Sequence, residues 1–323
     1  MIDRRTFLAA VAAASTTTAW AQSAQSGRPI RLIVPFPAGG ATDAFARAIS
    51  QKLGERLGAA VIVDNRPGAG GSIGSDMVAK AAPDGDTLLL ATSSTHSIGP
   101  NFQNTIKLPY DAATDFTPIA HLGDAPNIVL VPNTSPAKSM KEWVEYAQKN
   151  PCKLNYGSSG NGTIPHISTE YLLSLAGLNL VHIPYRGTGL SIPDLASGKL
   201  DLLVDSLTSG LPHVKSGRLR GLAITSLKRS PLVPDLPPVA DTLPGYEAIT
   251  WFGLYGPKNL PGASVNRINT AVNQVLQDKD VREAFSRLGI EAAGGSPVQF
   301  EKMVAVDRAK WKKIIDERKI SNE

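Results

Sequence analysis

Residues 30–49 read IRLIVPFPAGGATDAFARAI, and this stretch decides the fold. Ile30–Val34 is a short apolar run of the kind that forms a strand covered on both faces. Pro35 to Gly40 interrupts it, and Phe45, Ala48, Ile49, Leu53 and Leu57 then fall on one helical stripe. A strand that turns through glycines into an amphipathic helix is the repeating unit of α/β proteins. The unit recurs along the chain. Further strands are predicted at Ala60–Asp64, Thr87–Ala91, Asn127–Val131, Lys153–Tyr156, Leu180–Ile183, Asp201–Asp205, Arg220–Thr225 and Thr250–Tyr255. Ser139 and Glu142 are spaced as a capping box, opening a helix that Asn150-Pro151 ends. The alternation predicts an α/β fold with mainly parallel sheets.

From Ser264 onward the pattern is helical without clear strands. Val265, Ile268, Val272 and Val275 form one stripe, and Val281, Phe285 and Leu288 another. The last helix opens at Ser296-Pro297, a capping residue followed by proline in the first helical position. Helices that end an α/β chain commonly pack back on its first sheet. Chain crossings are therefore expected near Gly123–Pro126 and Thr250, with residues 22–124 plus 252–323 forming lobe 1 and 125–251 forming lobe 2. The proline-rich stretch Pro231–Pro244 reads as an extended surface connection.

The N-terminus carries Asp3-Arg4-Arg5, an apolar run from Phe7 to Ala14, and Ala19-Trp20-Ala21. These are the charged region, the apolar region and the small-residue cleavage site of an export signal, residues 1–21. The apolar run is far short of the ~20 residues that a membrane span needs. Arg4-Arg5-Thr6-Phe7-Leu8 also resembles a twin-arginine signal, which leaves the export route open. A periplasmic location is expected, with the mature chain starting near Gln22. Cys152 is the only cysteine, which excludes an internal disulfide and a cysteine-built metal cluster. The histidines show no paired ligand spacing, so neither a metal nor a cofactor is predicted. The formal charge is +5, and losing the signal removes one unit (Arg4 and Arg5 against Asp3). Near Lys310 to Lys319 the bases interleave with Asp316 and Glu317, the pattern of a solvated helix face rather than of a nucleic-acid surface.

Two glycine-rich loops each lead from a strand into a helix. The first is Pro35 to Asp43; the second is Tyr156 to Thr163, entering the helix that carries His166 and Tyr171. Each places unpaired backbone N–H groups at the positive end of a helix, which favours a carboxylate or phosphate. Glycine lets the backbone approach an anion closely, and serine and threonine add hydroxyl donors. On opposite lobes, the two loops would clamp one small anion from both sides. Thr92 to His96 follows a third strand and is a further candidate for the cleft wall.

The quoted loops carry a family resemblance. Val34 to Asp43, Asp64-Asn65-Arg66-Pro67-Gly68-Ala69-Gly70-Gly71, Ala82-Pro83-Asp84-Gly85, Tyr156 to Thr163 and His182-Ile183-Pro184-Tyr185-Arg186-Gly187 follow in the order and spacing of the tripartite tricarboxylate transporter substrate-binding proteins, the Bug receptors. The chain resembles that family over its whole mature length. The resemblance implies a two-lobed, type II-like periplasmic binding fold with a hinge and an interlobe cleft. It implies a small organic carboxylate ligand held by backbone amides and ordered water: a di- or tricarboxylate, an aromatic acid or an amino acid. It also implies delivery to integral-membrane transporter subunits, or a sensor protein as partner, with the receptor itself a monomer and not an enzyme. Carried over residue by residue, the ligand-binding positions are Phe36, Ala38, Gly39, Gly40, Thr42 and Asp43 from the first loop. Ser158, Gly160, Gly162 and Thr163 come from the second, with Ser93, His166 and Asp205 as additional candidates. Asp43 has an alternative role at the helix start, and Asp205 one as a structural hydrogen-bond acceptor. Cys152 stands where the family commonly has glycine.

One rival chemistry is spelled in the sequence. Gly70-Gly71-Ser72-Ile73-Gly74 matches the serine-hydrolase elbow, and Asp205 and His213 follow in the right order. An elbow needs its serine on a tight turn directly after a strand, and here Asn65 to Gly70 intervenes. Gly157 to Thr163 has phosphate-loop spacing, but Thr163 stands where that loop needs lysine.

Overall fold

The computed structural model describes residues 27–102 and 107–320, so the expected export signal at residues 1–21 lies outside the described residues. The first unit runs β1 (Ile30–Val34), α1 (Ala41–Leu57), β2 (Val61–Asn65), α2 (Ser72–Ala79) and β3 (Thr87–Thr92). The chain then enters β4 (Phe116–Pro132), α3 (Met140–Lys149), β5 (Asn155–Ser158), α4 (Ile164–Ala176), β6 (Val181–Pro184) and α5 (Thr188–Ala196). β7 (Leu202–Ser206), α6 (Leu207–Lys215) and β8 (Leu219–Ile224) complete the second unit. β9 (Ile249–Pro257) leads back to α7 (Gly262–Val275), α8 (Lys279–Leu288), β10 (Glu291–Ala292) and α9 (Pro297–Arg318).

The strands lie in the order β2-β1-β3-β9-β4-β7-β5-β6, with β8 and β10 also paired to β4. Pairing is parallel on both flanks, β2-β1-β3 and β6-β5-β7, as expected from the apolar runs. It is antiparallel wherever β4 or β9 takes part, which corrects the mainly parallel expectation. The reason is topological. β4 carries the chain out of the first lobe and β9 brings it back, so the two crossings run in opposite directions side by side.

Each half is a sheet between two helical layers, and strand alternation divides the core accordingly. In the first lobe Leu32, Val34, Leu88 and Leu90 pack towards α1, α7 and α8, while Ile33, Leu89 and Ala91 pack towards α2 and α9. In the second, Val129, Val131, Leu202 and Val204 face α3 and α4, while Ile128, Leu130 and Leu203 face α5 and α6. Phe45 of α1 stacks on Phe252 of β9 at 4.5 Å between ring centres, fixing α1 beside the crossing. Burial of such a side chain contributes about 1.5–3 kcal/mol.

The last helix does not stay with lobe 1. Ser296 caps it in a full capping box with Gln299, and Phe300 and Val304 pack in the first lobe. One end further on, Trp311 and Ile315 are buried with Trp143, Tyr171 and Tyr246 of the second. A stripe of apolar residues on 22 residues of helix is long enough to reach both cores. Cys152 sits at φ 55°, the left-handed conformation that favours glycine, which accounts for the residue the resemblance leads one to expect there.

Candidate ligand-binding site

A cavity of about 530 Å³ lies between the lobes, with the crossing strands as its floor. Four helix starts ring it: α1 from the first lobe, and α4, α5 and α6 from the second. None of the four has a side-chain cap; the residues at the capping positions are Gly40, Thr163, Gly187 and Ser206. Away from the cavity, α3, α8 and α9 are capped by Ser139, Asp278 and Ser296, while α2 and α7 start uncapped at Gly71 and Pro261. First-turn N–H groups have no carbonyl partner in their own helix, so the starts of α1, α5 and α6 face the cavity as donors at positive dipole ends, whereas at α4 the Ile164 N–H is taken by Ser94 and Pro165 has none. The floor adds Asn127, Thr250 and Phe252. Asn127 is held rigidly, donating to the Ala248 carbonyl at 3.1 Å and accepting from the Thr250 hydroxyl at 3.0 Å.

Of the first-loop residues, Phe36, Ala38, Gly39, Gly40 and Thr42 line the cavity. Asp43 does not. Its carboxylate accepts from the Gly39 N–H at 3.0 Å and from Arg47 Nε at 2.9 Å, so it shapes the loop from behind. Burial alone would raise its pKa, but the bonds from Arg47 and Gly39 outweigh burial and hold it below the usual range.

The second loop is placed differently from expectation. Gly160 lines an adjoining cavity of about 400 Å³, and Ser158, Gly162, Thr163 and His166 line neither. β5 runs on to Ser158, two residues beyond the predicted end, which turns the Ser158 hydroxyl inward onto His182 Nε2 at 2.6 Å. The Gly162 N–H donates to His166 Nδ1 at 3.1 Å and the Thr163 hydroxyl to the Gly160 carbonyl at 2.6 Å. His166 stacks on His182 at 4.0 Å. Burial depresses His166 to about 3, with His182 adding to the effect, and burial takes His182 to about 4. The neutral rings form the wall behind the loop. Of the second loop only Ser159 lines the main cavity, joined by Ile164 and Pro165 at the start of α4.

Ser93 is fully buried and lies behind the wall; its neighbours Thr92 and Ser94 reach the cavity instead. Asp205 does line it, at the end of β7. Its oxygens accept from the Ser206 N–H at 2.8 Å and the Ser209 hydroxyl at 2.6 Å, and burial pushes its pKa up. It therefore serves the first turn of α6. The starts of α5 and α6, residues 187–190 and 206–209, were not assigned from sequence. They sit at the carboxyl ends of β6 and β7, where ligands bind in open α/β sheets, and that rule applied to every strand would have found them.

The lobes touch across the cavity. The Ile164 N–H at the start of α4 donates to Ser94 Oγ at 2.9 Å. A Cβ on Gly187 would come within 3.0 Å of Pro37 Cγ, and one on Gly70 within 3.1 Å of the Asn161 carbonyl oxygen. Arg186, exposed beside this contact, lines both cavities and joins none of the ion pairs among the described residues. Ser72 lies buried in the first turn of α2, outside both cavities, and no hydrogen bond joins it to His213 on α6.

The chain matches the tripartite tricarboxylate transporter family receptor model over residues 45–320. It is 39% identical to a protein of Pseudomonas sp. strain P51, the UPF0065 protein in the tcbD-tcbE intergenic region, over 99% of this chain and 96% of that one. Among solved structures it is similar to R. palustris Rpa4515 with adipate, at TM-score 0.88 and 34% identity, covering 92% of this chain and 99% of that one. MatC from Rhodopseudomonas palustris with bound malate matches at TM-score 0.85 and 31% identity, covering 90% and 99%. With the two-lobed fold and the ringed cavity in place, these matches assign the chain to the tripartite tricarboxylate transporter receptor family.

Proposed function

We propose that the protein is an exported solute-binding receptor that encloses a small organic carboxylate between its lobes and hands it to a membrane transporter, without catalysis. The observation that carries this reading is the ring of uncapped helix starts around one interlobe cavity. The adipate- and malate-bound relatives support a small carboxylate as the ligand class. The first-loop residues Phe36, Ala38, Gly39, Gly40 and Thr42 contact the ligand, together with the Gly187–Gly189 start of α5 and Arg186. Ser158, Gly162, Thr163 and His166 hold the second loop in shape, while Gly160 meets the opposite lobe beside Gly70. Thr92 and Ser206 line the cavity, and their hydroxyls are buried without partners among the described residues. Lobe 1 comprises residues 22–124 and 252 to about 305, and lobe 2 residues 125–251, with the end of α9 docked on it. Residues 1–21 direct export to the periplasm and are cleaved near Ala21 on translocation.

A thermal-shift screen of adipate, malate, citrate, benzoate and aspartate on the chain from Gln22 tests the reading. A bound acid should raise the melting temperature with its logarithm of concentration, by about 2.7 kcal/mol of stabilisation at a hundred times Kd. No shift with any acid at millimolar concentration would overturn it.

A smaller effect comes from Ser94, which lines the cavity and also accepts a hydrogen bond across it. In Ser94→Ala the Ile164 N–H loses its cross-lobe acceptor, and a buried unpaired donor costs about 1–3 kcal/mol. Because water reaches that N–H once the lobes part, the cost falls on the closed form. Affinity should drop about tenfold with the ligand-free melting temperature unchanged. Calorimetric titration beside a melting curve separates this from a general loss of stability.

A further inference from the structure

We infer that a second groove, on the far side of the crossing strands, sets the balance between the open and closed forms. The inference rests on the receptor reading above for its meaning, but not for its test. The groove has a volume of about 640 Å³ and is walled by both lobes. Ser226 to Leu232 forms one side; Arg282, Phe285, Ser286 and Gly289 of α8 and its end form the other. Its bottom is Asp124 and Pro126 of β4 and Ile249 of β9.

Strand geometry relates the two hollows. Successive residues of a strand point to opposite faces, and directly paired residues point to the same one. Pro126 pairs with Ile249, and both line this groove. Their chain neighbours Asn127 and Thr250 line the ligand cavity. The crossing strands thus separate a hollow on each face, each bounded by the same two lobes. Rotating the lobes about these strands to open one hollow narrows the other. The pivot is tight. The Thr208 hydroxyl of α6 donates to the Leu288 carbonyl at 2.6 Å, and a Cβ on Gly289 would meet Leu207 at 3.0 Å and Leu232 at 3.2 Å. Beyond the pivot the walls stand apart, with Leu227 59% exposed and Ser286 on the solvent side of α8.

Bulk placed in the far groove is accommodated when the ligand cavity is shut and is squeezed when it opens. It therefore penalises the open form and raises the fraction competent to hold ligand. Apparent affinity scales with that fraction.

Ser286→Trp and Leu227→Trp, wedges from opposite walls, test the inference on the full mature chain, with Ser286→Ala as control. Neither position touches the ligand cavity. Ligand-free X-ray scattering should give a smaller radius of gyration for each tryptophan variant than for the parent and the alanine control. Adipate, titrated calorimetrically, should bind about fivefold tighter through slower release. An unchanged or larger radius in both variants overturns the inference, as does weaker adipate binding. If adipate fails to bind the parent chain, the choice of ligand fails, while the scattering still decides on the groove.

Discussion

Gly187→Val should weaken carboxylate binding by at least about 100-fold, close to 2.7 kcal/mol. Two effects fall on one residue. Gly187 has φ 123°, a region essentially reserved for glycine, and holding a branched residue there costs of order 1–3 kcal/mol. It also caps α5 with its backbone against Pro37 of the other lobe, where any Cβ would stand at 3.0 Å from Cγ. A valine acts as a spacer at the point where the lobes meet, so the helix start and the first loop no longer reach the same anion. Gly177→Ala is the control. It too has positive φ, 65°, but nothing lies within 4 Å of its Cβ position and it ends α4 away from the cavity. That variant should lose melting temperature and keep its affinity. Titration of the best acid from the screen decides; a Gly187→Val protein binding within threefold of the parent would show that closure does not run through this contact.

The second large effect is acid lability. His96, His166 and His182 are held neutral by burial at about 3, 3 and 4, with Arg308 adding to the effect at His96 and His182 at His166. In the unfolded chain each takes a proton below about 6.5. The unfolded state then binds more protons than the folded one, so stability is complete above that pH and is lost as pH falls towards the folded values. Between the two limits each histidine removes about 1.4 kcal/mol per pH unit. Asp205, Asp307 and Glu170 act the other way: burial raises them, so their contribution grows as pH falls towards the ordinary carboxylate range. His96→Phe isolates one histidine. Its ring stacks on Tyr255 at 4.4 Å and its Nε2 has no partner among the described residues, so phenylalanine keeps the stack and gives up one bond, to Thr95. Calorimetric melting from pH 7 to pH 5 should fall less steeply in the variant. Parallel curves would mean that His96 is not held neutral.

The strand–turn–helix units and the first loop were readable in the sequence because each is a local pattern: an apolar run, glycines, a stripe. Asn155–Ser158 shows where local reading falls short. A shift of two residues in the strand end decided whether the Ser158 hydroxyl faced ligand or His182, and only pairing with Pro184 of β6 sets that end. The predicted strand Asn127–Val131 covers only the second half of β4, because Gly123–Pro126 reads as a chain crossing and Pro118 as a strand breaker. Register shifts near Pro118 and Gly123 absorb them within the sheet. Asp205 carries the structural alternative given from sequence, a hydrogen-bond acceptor, but its partner Ser209 lies a helical turn away on α6, which no local pattern names. The turn after Arg186 takes its meaning from Gly187 standing opposite Pro37 of the other lobe, which no local pattern shows.

The final helix has a mechanical consequence. Phe300 and Val304 root one end in the first lobe and Trp311 and Ile315 root the other in the second, beside two strands that already tie the halves together. Bodies fastened along three non-collinear struts cannot slide or twist freely past one another. With the halves joined this way, the motion to expect is a swing about the crossing strands rather than a slide.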